Sequence, residues 1–359
     1  MSAWIDQVDE RHIRVVHGGP EAGGPDSAVV DFSVNVNPFA PAPGVLEAWK
    51  RADPAGYPDP ASLDARGAAA RLWAVPVASV RFSAGATDLL HRAALAWLAP
   101  GQVGVIPEPC FAEYARAVTL ARGRAVTVPP SDAEGTLDLD GTLAACRAHS
   151  AGMLYLGRPN TPTGSSIPRD SLVELRAALP AGCLLVLDES FASFDAGSVG
   201  AGPVLGVADG VLSIRSVTKD CGLAGLRAGF AIGPEAIVRA LDRVALPWAA
   251  SAPAQIAARV SLEPESVAYL DSTLQLLRHE LDGLLDTLHA CGLEPYPSRA
   301  NFACVRVPDA GALARGLERK GLRVRRCASF GLSGHVRIGI RRPEDNRRLI
   351  HALRESLCA

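Results

Sequence analysis

From about residue 80 to residue 265 the chain alternates short apolar runs with longer segments whose apolar residues recur every three to four positions. The runs Val103 to Pro107, Ala125 to Val128, Met153 to Gly157, Leu184 to Leu187, Val211 to Arg215 and Gly229 to Ile232 predict strands. Between them, ATDLLHRAALAWLA, FAEYARAVTLAR and SLVELRAALP predict helices. This alternation is the pattern of β-α units around a mostly parallel sheet. After Pro264 the segment SVAYLDSTLQLLRHELDGLLDTLHACG keeps a helical period for about seven turns. Beyond it the strand-like ANFACVRV, GLRVRRC and HVRIGI interleave with the helix-like ALARGLERK and EDNRRLIHALRESL, which predicts a small α+β domain. The first 45 residues are rich in Gly and Pro, as in HGGPEAGGP and NVNPFAPAPG, and are expected to run over the surface rather than build a core. The expected division is a large α/β domain over 46–265, with 1–45 and 266–359 forming an N-terminal arm and a small C-terminal domain.

Composition narrows the function classes. The 359 residues are 48% hydrophobic and 21% charged with a net charge of -2, which suits a globular enzyme and argues against a nucleic-acid partner. No run of about 18 apolar residues occurs, and MSAWIDQVDERHIRVV lacks the basic start and apolar stretch of a signal peptide, so a cytoplasmic location and no membrane partner are expected. The eight cysteines are scattered without a C-x-x-C pair or a histidine at ligand spacing, so they read as reduced packing residues, with no metal site.

Lysine occurs only at Lys50, Lys219 and Lys320. Lys50 and Lys320 fall in charge-bearing helical segments, whereas Lys219 follows an apolar strand. A lysine there is either an ordinary surface cation or an amine whose pKa is lowered for covalent chemistry. Ser216, Thr218 and Arg227 surround it in sequence and together suit a phosphate dianion. Ser83-Ala-Gly85-Ala86-Thr87-Asp88 follows the run VRF and opens a helix; it is either a common structural cap or an anion site made of backbone N–H groups. Asp188 ends the run CLLVLDE, at the sheet edge where α/β proteins bind ligands, though a capping carboxylate would look the same. Asn160, in GRPNTPTG, is a turn former or an amide donor to a ligand.

Taken in order, SAGAT, the aromatic of PEPCF, PNTPTG, DES and S-x-T-K with arginine eight residues on resemble the fold-type I pyridoxal-phosphate (PLP) enzymes of aminotransferase class I/II, over nearly the whole chain. The resemblance implies the PLP-dependent transferase-like fold, with Lys219 holding the cofactor as a Schiff base and Asp188 facing its pyridine nitrogen. It assigns Asn160 to the ring oxygen and Phe111 to stacking on the ring. Gly85, Ala86, Thr87, Ser216, Thr218 and Arg227 would hold the phosphate. Tyr57, in AGYPDP, would reach the phosphate of the neighbouring subunit's cofactor, implying a homodimer with shared sites.

Two subfamilies fit the remaining motifs. YPDP, LAGLR and VRI are similar to histidinol-phosphate aminotransferases, and L-threonine-O-3-phosphate decarboxylases share these elements. His17-Gly18-Gly19, DFSVNVNPF with Asn37, and Phe191 in DESF, where aminotransferases of this group carry tyrosine, lean toward the decarboxylases. Decarboxylation of L-threonine O-3-phosphate is therefore the first expectation, histidinol-phosphate transamination the second, and a PLP-fold regulator without turnover a third from another class. Arg337 is expected to grip a substrate carboxylate, and Gly18 and Asn37 are expected at the substrate as well. Arg325 and His17 would meet a second anionic group, though each also reads as a solvated residue or, at position 337, as a strand arginine.

Overall fold

The computed structural model describes residue 8 and residues 10–13, 15–19, 28–53, 55–132 and 135–357. Among the described residues twelve strands run β1 Val30–Asp31, β2 Val80–Ser83, β3 Val103–Pro107, β4 Arg124–Val128, β5 Met153–Gly157, β6 Leu184–Asp188, β7 Val211–Ser216, β8 Gly229–Ile232, β9 Phe302–Arg306, β10 Leu322–Arg323, β11 Arg325–Arg326 and β12 His335–Gly339. Seven form one sheet in the order β2-β8-β7-β6-β5-β3-β4. Within it β8 is antiparallel to both neighbours and the remaining pairs are parallel. β3, β5, β6, β7 and β8 are buried from end to end. That is why β3, β5, β8 and most of β6 read as apolar runs, with helices covering both faces of the sheet, whereas β7 also buries Ser213, Arg215 and Ser216. One face packs Leu89, Leu90, Ala117 and Val118, and the other packs Leu172, Leu175 and Cys146.

The smaller sheet, β11-β12-β9, is antiparallel. The helix Pro264–Ala290 joins it to the large one. Its Leu270 and Leu274 pack with Phe230 and Ala258, whereas Leu277, Leu281, Leu284 and Leu288 pack with Val336 and Ile338. At 1.5 Å per residue it spans roughly 40 Å, long enough to serve two cores.

The N-terminal segment departs from expectation. Phe32 is 0% exposed within the smaller core, and Ser33, Asn35 and Asn37 are buried as well. β1 pairs in parallel with β10, and Phe32 continues the ladder by donating to the Arg323 carbonyl and accepting from Gly339 N–H. Any side chain at Gly339 would meet the Val34 carbonyl at 2.5 Å, so a glycine is what lets the arm lie against β12. Among the cysteines, Cys291 is disulfide-bonded, which corrects the expectation of uniformly reduced thiols. Cys146, Cys183, Cys221, Cys304 and Cys327 are free and buried. No helix among the described residues is long and apolar enough to cross a membrane.

Candidate active site

The C-terminal ends of β6 and β7, the turn before the helix Ala86–Trp97, and the arm segment 15–18 surround a cavity of about 410 Å³. Ligands collect at such carboxyl ends of parallel strands, and this volume suits a small cofactor and its substrate. Lys219, three residues past β7, lines it together with Asp188, Thr218, Arg227 and Arg337.

Burial pulls the Lys219 ammonium down to about 8, with Arg337 and Arg227 adding repulsion and Asp188 opposing it. Roughly a tenth of the amine is then neutral and nucleophilic at pH 7, a far larger share than for an ordinary lysine. Lys50 and Lys320 pair instead with surface carboxylates, Glu47 at 3.1 Å and Glu355 at 2.5 Å.

An anion cradle lies beside Lys219. The Ser216 and Thr218 hydroxyls are 2.5 Å apart, and Ala86 and Thr87 open a helix that has no side-chain cap, leaving its first N–H groups to a ligand. Gly85 sits at φ +98, where a Cβ would also come within 3.0 Å of the Arg227 guanidinium. A Cβ at Gly229 would meet the Ala86 nitrogen at 2.6 Å. The two glycines thus keep backbone and arginine close enough to enclose a phosphate. Asp88, in the same turn, is engaged by Ser83 and Arg92 at 2.5 and 3.0 Å.

At the other end, burial raises the Asp188 pKa, opposed by its hydrogen bonds and by Lys219. Tyr114 donates to one of its oxygens at 2.9 Å, and Ser190 donates to the other through its N–H and hydroxyl, at 3.0 and 2.5 Å. Tyr114 in turn stacks on Tyr155 with centroids 5.2 Å apart. Tyr114 and Ser190 escaped the sequence reading. The available signal was that Tyr114 stands three residues after Phe111, on the same side of the chain as it enters a helix. Phe111 lines the cavity.

Several expected contacts are placed differently. Asn160 is 1% exposed and its amide donates to the Pro109 carbonyl at 2.8 Å and to Thr163 at 3.3 Å, while its neighbours Pro159 and Thr161 line the cavity. Asn37 lies behind the cavity rather than in it. Its N–H donates to the Lys219 carbonyl at 2.7 Å, and its amide ties Asp220 to Thr273, so it braces the lysine loop. Tyr57, expected at a neighbouring subunit's cofactor rather than this one, is 83% exposed and stacks on Trp248 with centroids 4.6 Å apart, outside the cavity.

Arg337 is buried, donates to the Ser33 carbonyl at 2.9 Å and lies over the Phe302 ring. Burial lowers its pKa to about 10, and its Nε is buried without a hydrogen-bond partner. Arg325 also lines the cavity with a buried, unpartnered Nε, but its other nitrogens hold the arm through the Val16 and His17 carbonyls at 2.7 and 3.3 Å. Gly18 is where the arm passes closest to the inner segment: a Cβ would meet the Ser33 carbonyl at 2.5 Å.

A mostly parallel sheet with one antiparallel strand, an amine past a strand end, an uncapped helix N-terminus with two hydroxyls beside it and a buried carboxylate belong to the fold of PLP-dependent enzymes of fold type I. The family model for aminotransferase class I and II matches residues 27–353, and the chain belongs to that family. Histidinol-phosphate aminotransferase 2 of Pseudomonas aeruginosa is 34% identical over 340 residues, 93% of this chain and 90% of that protein. The histidinol-phosphate aminotransferase of Haloferax volcanii is 34% identical over 93% of this chain and 91% of its own. Among solved structures, the histidinol-phosphate aminotransferase of Sinorhizobium meliloti in complex with pyridoxal-5'-phosphate superposes with a TM-score of 0.81 at 28% identity, covering 90% and 89% of the two chains. These relatives shift the weight from the decarboxylase, the first expectation, to the aminotransferase.

Proposed function

We propose that the protein is an aminotransferase of the histidinol-phosphate type, acting on an amine that carries a second, anionic group. The observation that carries this reading is likeness to histidinol-phosphate aminotransferases over 93% of the chain, in a fold that keeps an amine, a carboxylate and a phosphate cradle around one cavity. Bound PLP supplies an electron sink for a bond broken at Cα. Lys219, the one lysine at the cavity, takes the Cα proton as a neutral amine and returns it. Asp188, oriented by Tyr114 and Ser190, holds positive charge at the pyridine nitrogen. Arg337 offers a desolvated guanidinium to the carboxylate of the amino donor or acceptor.

Decarboxylation of L-threonine O-3-phosphate is kept as a second reading because of Phe191, which lines the cavity edge-on to Phe302 at 5.2 Å and offers no hydroxyl where aminotransferases of this group carry tyrosine. Product analysis separates the two. With histidinol phosphate and 2-oxoglutarate the protein is expected to form glutamate. Release of CO2 from threonine phosphate without any 2-oxo acid, and no glutamate from the first pair, would replace the aminotransferase reading.

The same reading includes a homodimer with shared sites. It is supported by the exposure of Tyr57, Leu246 and Trp248 at 83%, 75% and 47%, an apolar surface that suits a second copy. It also divides the chain into a cofactor domain over 46–265 and a second unit of 1–45 with 266–359, which the pairing of β1 with β10 supports.

A further inference from the structure

One buried carboxylate beside the cavity has no part in the chemistry above. Glu113, 2% exposed, opens the helix Glu113–Leu120 two residues after Phe111. One of its oxygens is 3.0 Å from His17 Nε2 and the other is 2.7 Å from His91 Nε2, with Arg116 at 3.4 Å from both. The two imidazoles come from different places. His91 belongs to the helix whose first turn forms the phosphate cradle, whereas His17 belongs to the arm whose carbonyls Arg325 holds. Glu113 therefore joins the cradle helix, the stacking aromatic and the arm at one point.

An ionised carboxylate only accepts hydrogen bonds, so it fixes the proton of each imidazole on Nε2 and leaves Nδ1 as the second functional atom. His91 is mostly buried, but the His17 side chain is 52% exposed, lines the cavity, and lies with its ring 5.8 Å from that of Phe111. Desolvation alone would raise the Glu113 pKa. The hydrogen bonds from His17 and His91, with Arg116 nearby, hold it well below the usual carboxylate range, so the anion persists at working pH.

We propose that Glu113 is a positioning residue that orients His17 over the cavity so that its Nδ1 meets the distal anionic group of the substrate, and thereby sets the preference for phosphorylated over unphosphorylated substrates. The inference rests on the reading of an anion-bearing amine substrate but not on which reaction follows. The carboxylate accepts from Nε2, and the anionic end of the substrate shares a proton with Nδ1 in a charge-assisted hydrogen bond. Without the carboxylate the ring is free to turn about two side-chain bonds, and the arm loses its tie to the cradle helix.

The test is titration of the holoenzyme's visible spectrum with two matched pairs, histidinol phosphate against histidinol and L-threonine O-3-phosphate against L-threonine. In the natural protein the phosphorylated member is expected to bind on the order of tenfold tighter or more, the worth of one charge-assisted hydrogen bond. Glu113→Gln and His17→Gln are each expected to bring that ratio down several-fold, and the double variant to fall no further than either, with the unliganded spectrum unchanged. Should Glu113→Gln not yield folded protein, Glu113→Asp, which keeps the charge but shortens the reach, carries the same comparison. A ratio untouched by the Glu113 variant, or effects of the two substitutions that multiply in the double variant, would overturn the proposal. If the histidinol pair gives no signal while the threonine pair does, the substrate assignment above fails and the Glu113 comparison is read on the second pair.

Discussion

Lys219→Ala protein is expected to emerge from purification without visible colour and to turn over no substrate. Lys219 has the only amine at the cavity, and its surroundings lower its pKa to about 8, so it alone is poised both to bind the cofactor covalently and to move a proton at Cα. The other two lysines are engaged with Glu47 and Glu355 at the surface and cannot substitute. Because the amine is partly desolvated and repelled by Arg337 and Arg227, its removal relieves an unfavourable burial, and the variant should fold with a melting temperature close to that of the natural protein without cofactor. Visible absorbance and turnover are the readings. A coloured variant that retains activity would move the chemistry to another residue.

The second large effect belongs to Asp188. Asp188→Ala removes the carboxylate proposed above to hold the ring nitrogen's charge and leaves Tyr114 and Ser190 donating into a gap. The barrier is expected to rise by roughly 4 kcal/mol or more, on the order of a thousandfold in kcat/KM. Lys219 and the cradle of Ser216, Thr218 and Arg227 are untouched, so the variant should still bind PLP. Steady-state kinetics on the coloured variant is the check, and a loss under tenfold would mean that the nitrogen has a different partner.

Much of the large sheet was legible in the chain because its strands are buried on both faces, where unbroken apolar runs leave little choice. The strand ends were less so: Asp188 and Ser216 complete β6 and β7 but are polar, and polarity at a strand end looks like a loop even where it carries the site. The arm was misread for a different reason. β1 is two residues long, and its order comes from β10, nearly three hundred residues away, which no local pattern reports. Glycines and prolines around Phe32 suggested a surface path, while the fold uses that phenylalanine as core.

Site residues divide along similar lines. Motif spacing placed Lys219, Asp188, Ala86, Thr87, Thr218, Arg227 and Arg337 around one cavity. Composition could not tell a polar side chain that faces the cavity from one that ties loops together, and Asn37 and Asn160 belong to the second kind. Arg325 does both. Glu113, His91 and Tyr114 sat unnoticed in segments that read as ordinary amphipathic helix. Their roles depend on contacts 22 to 96 residues apart in sequence, such as that of Glu113 with His91 and with His17 and that of Tyr114 with Asp188.

The central claim, that Lys219 is the covalent attachment point of PLP in this cavity, is tested most directly by reducing the holoenzyme with borohydride, digesting it and locating the pyridoxyl group by mass. One pyridoxyl group per chain is expected, on the peptide containing Ser216, Thr218 and Lys219. A label on Lys50 or Lys320, or cofactor released without any labelled lysine, would contradict it.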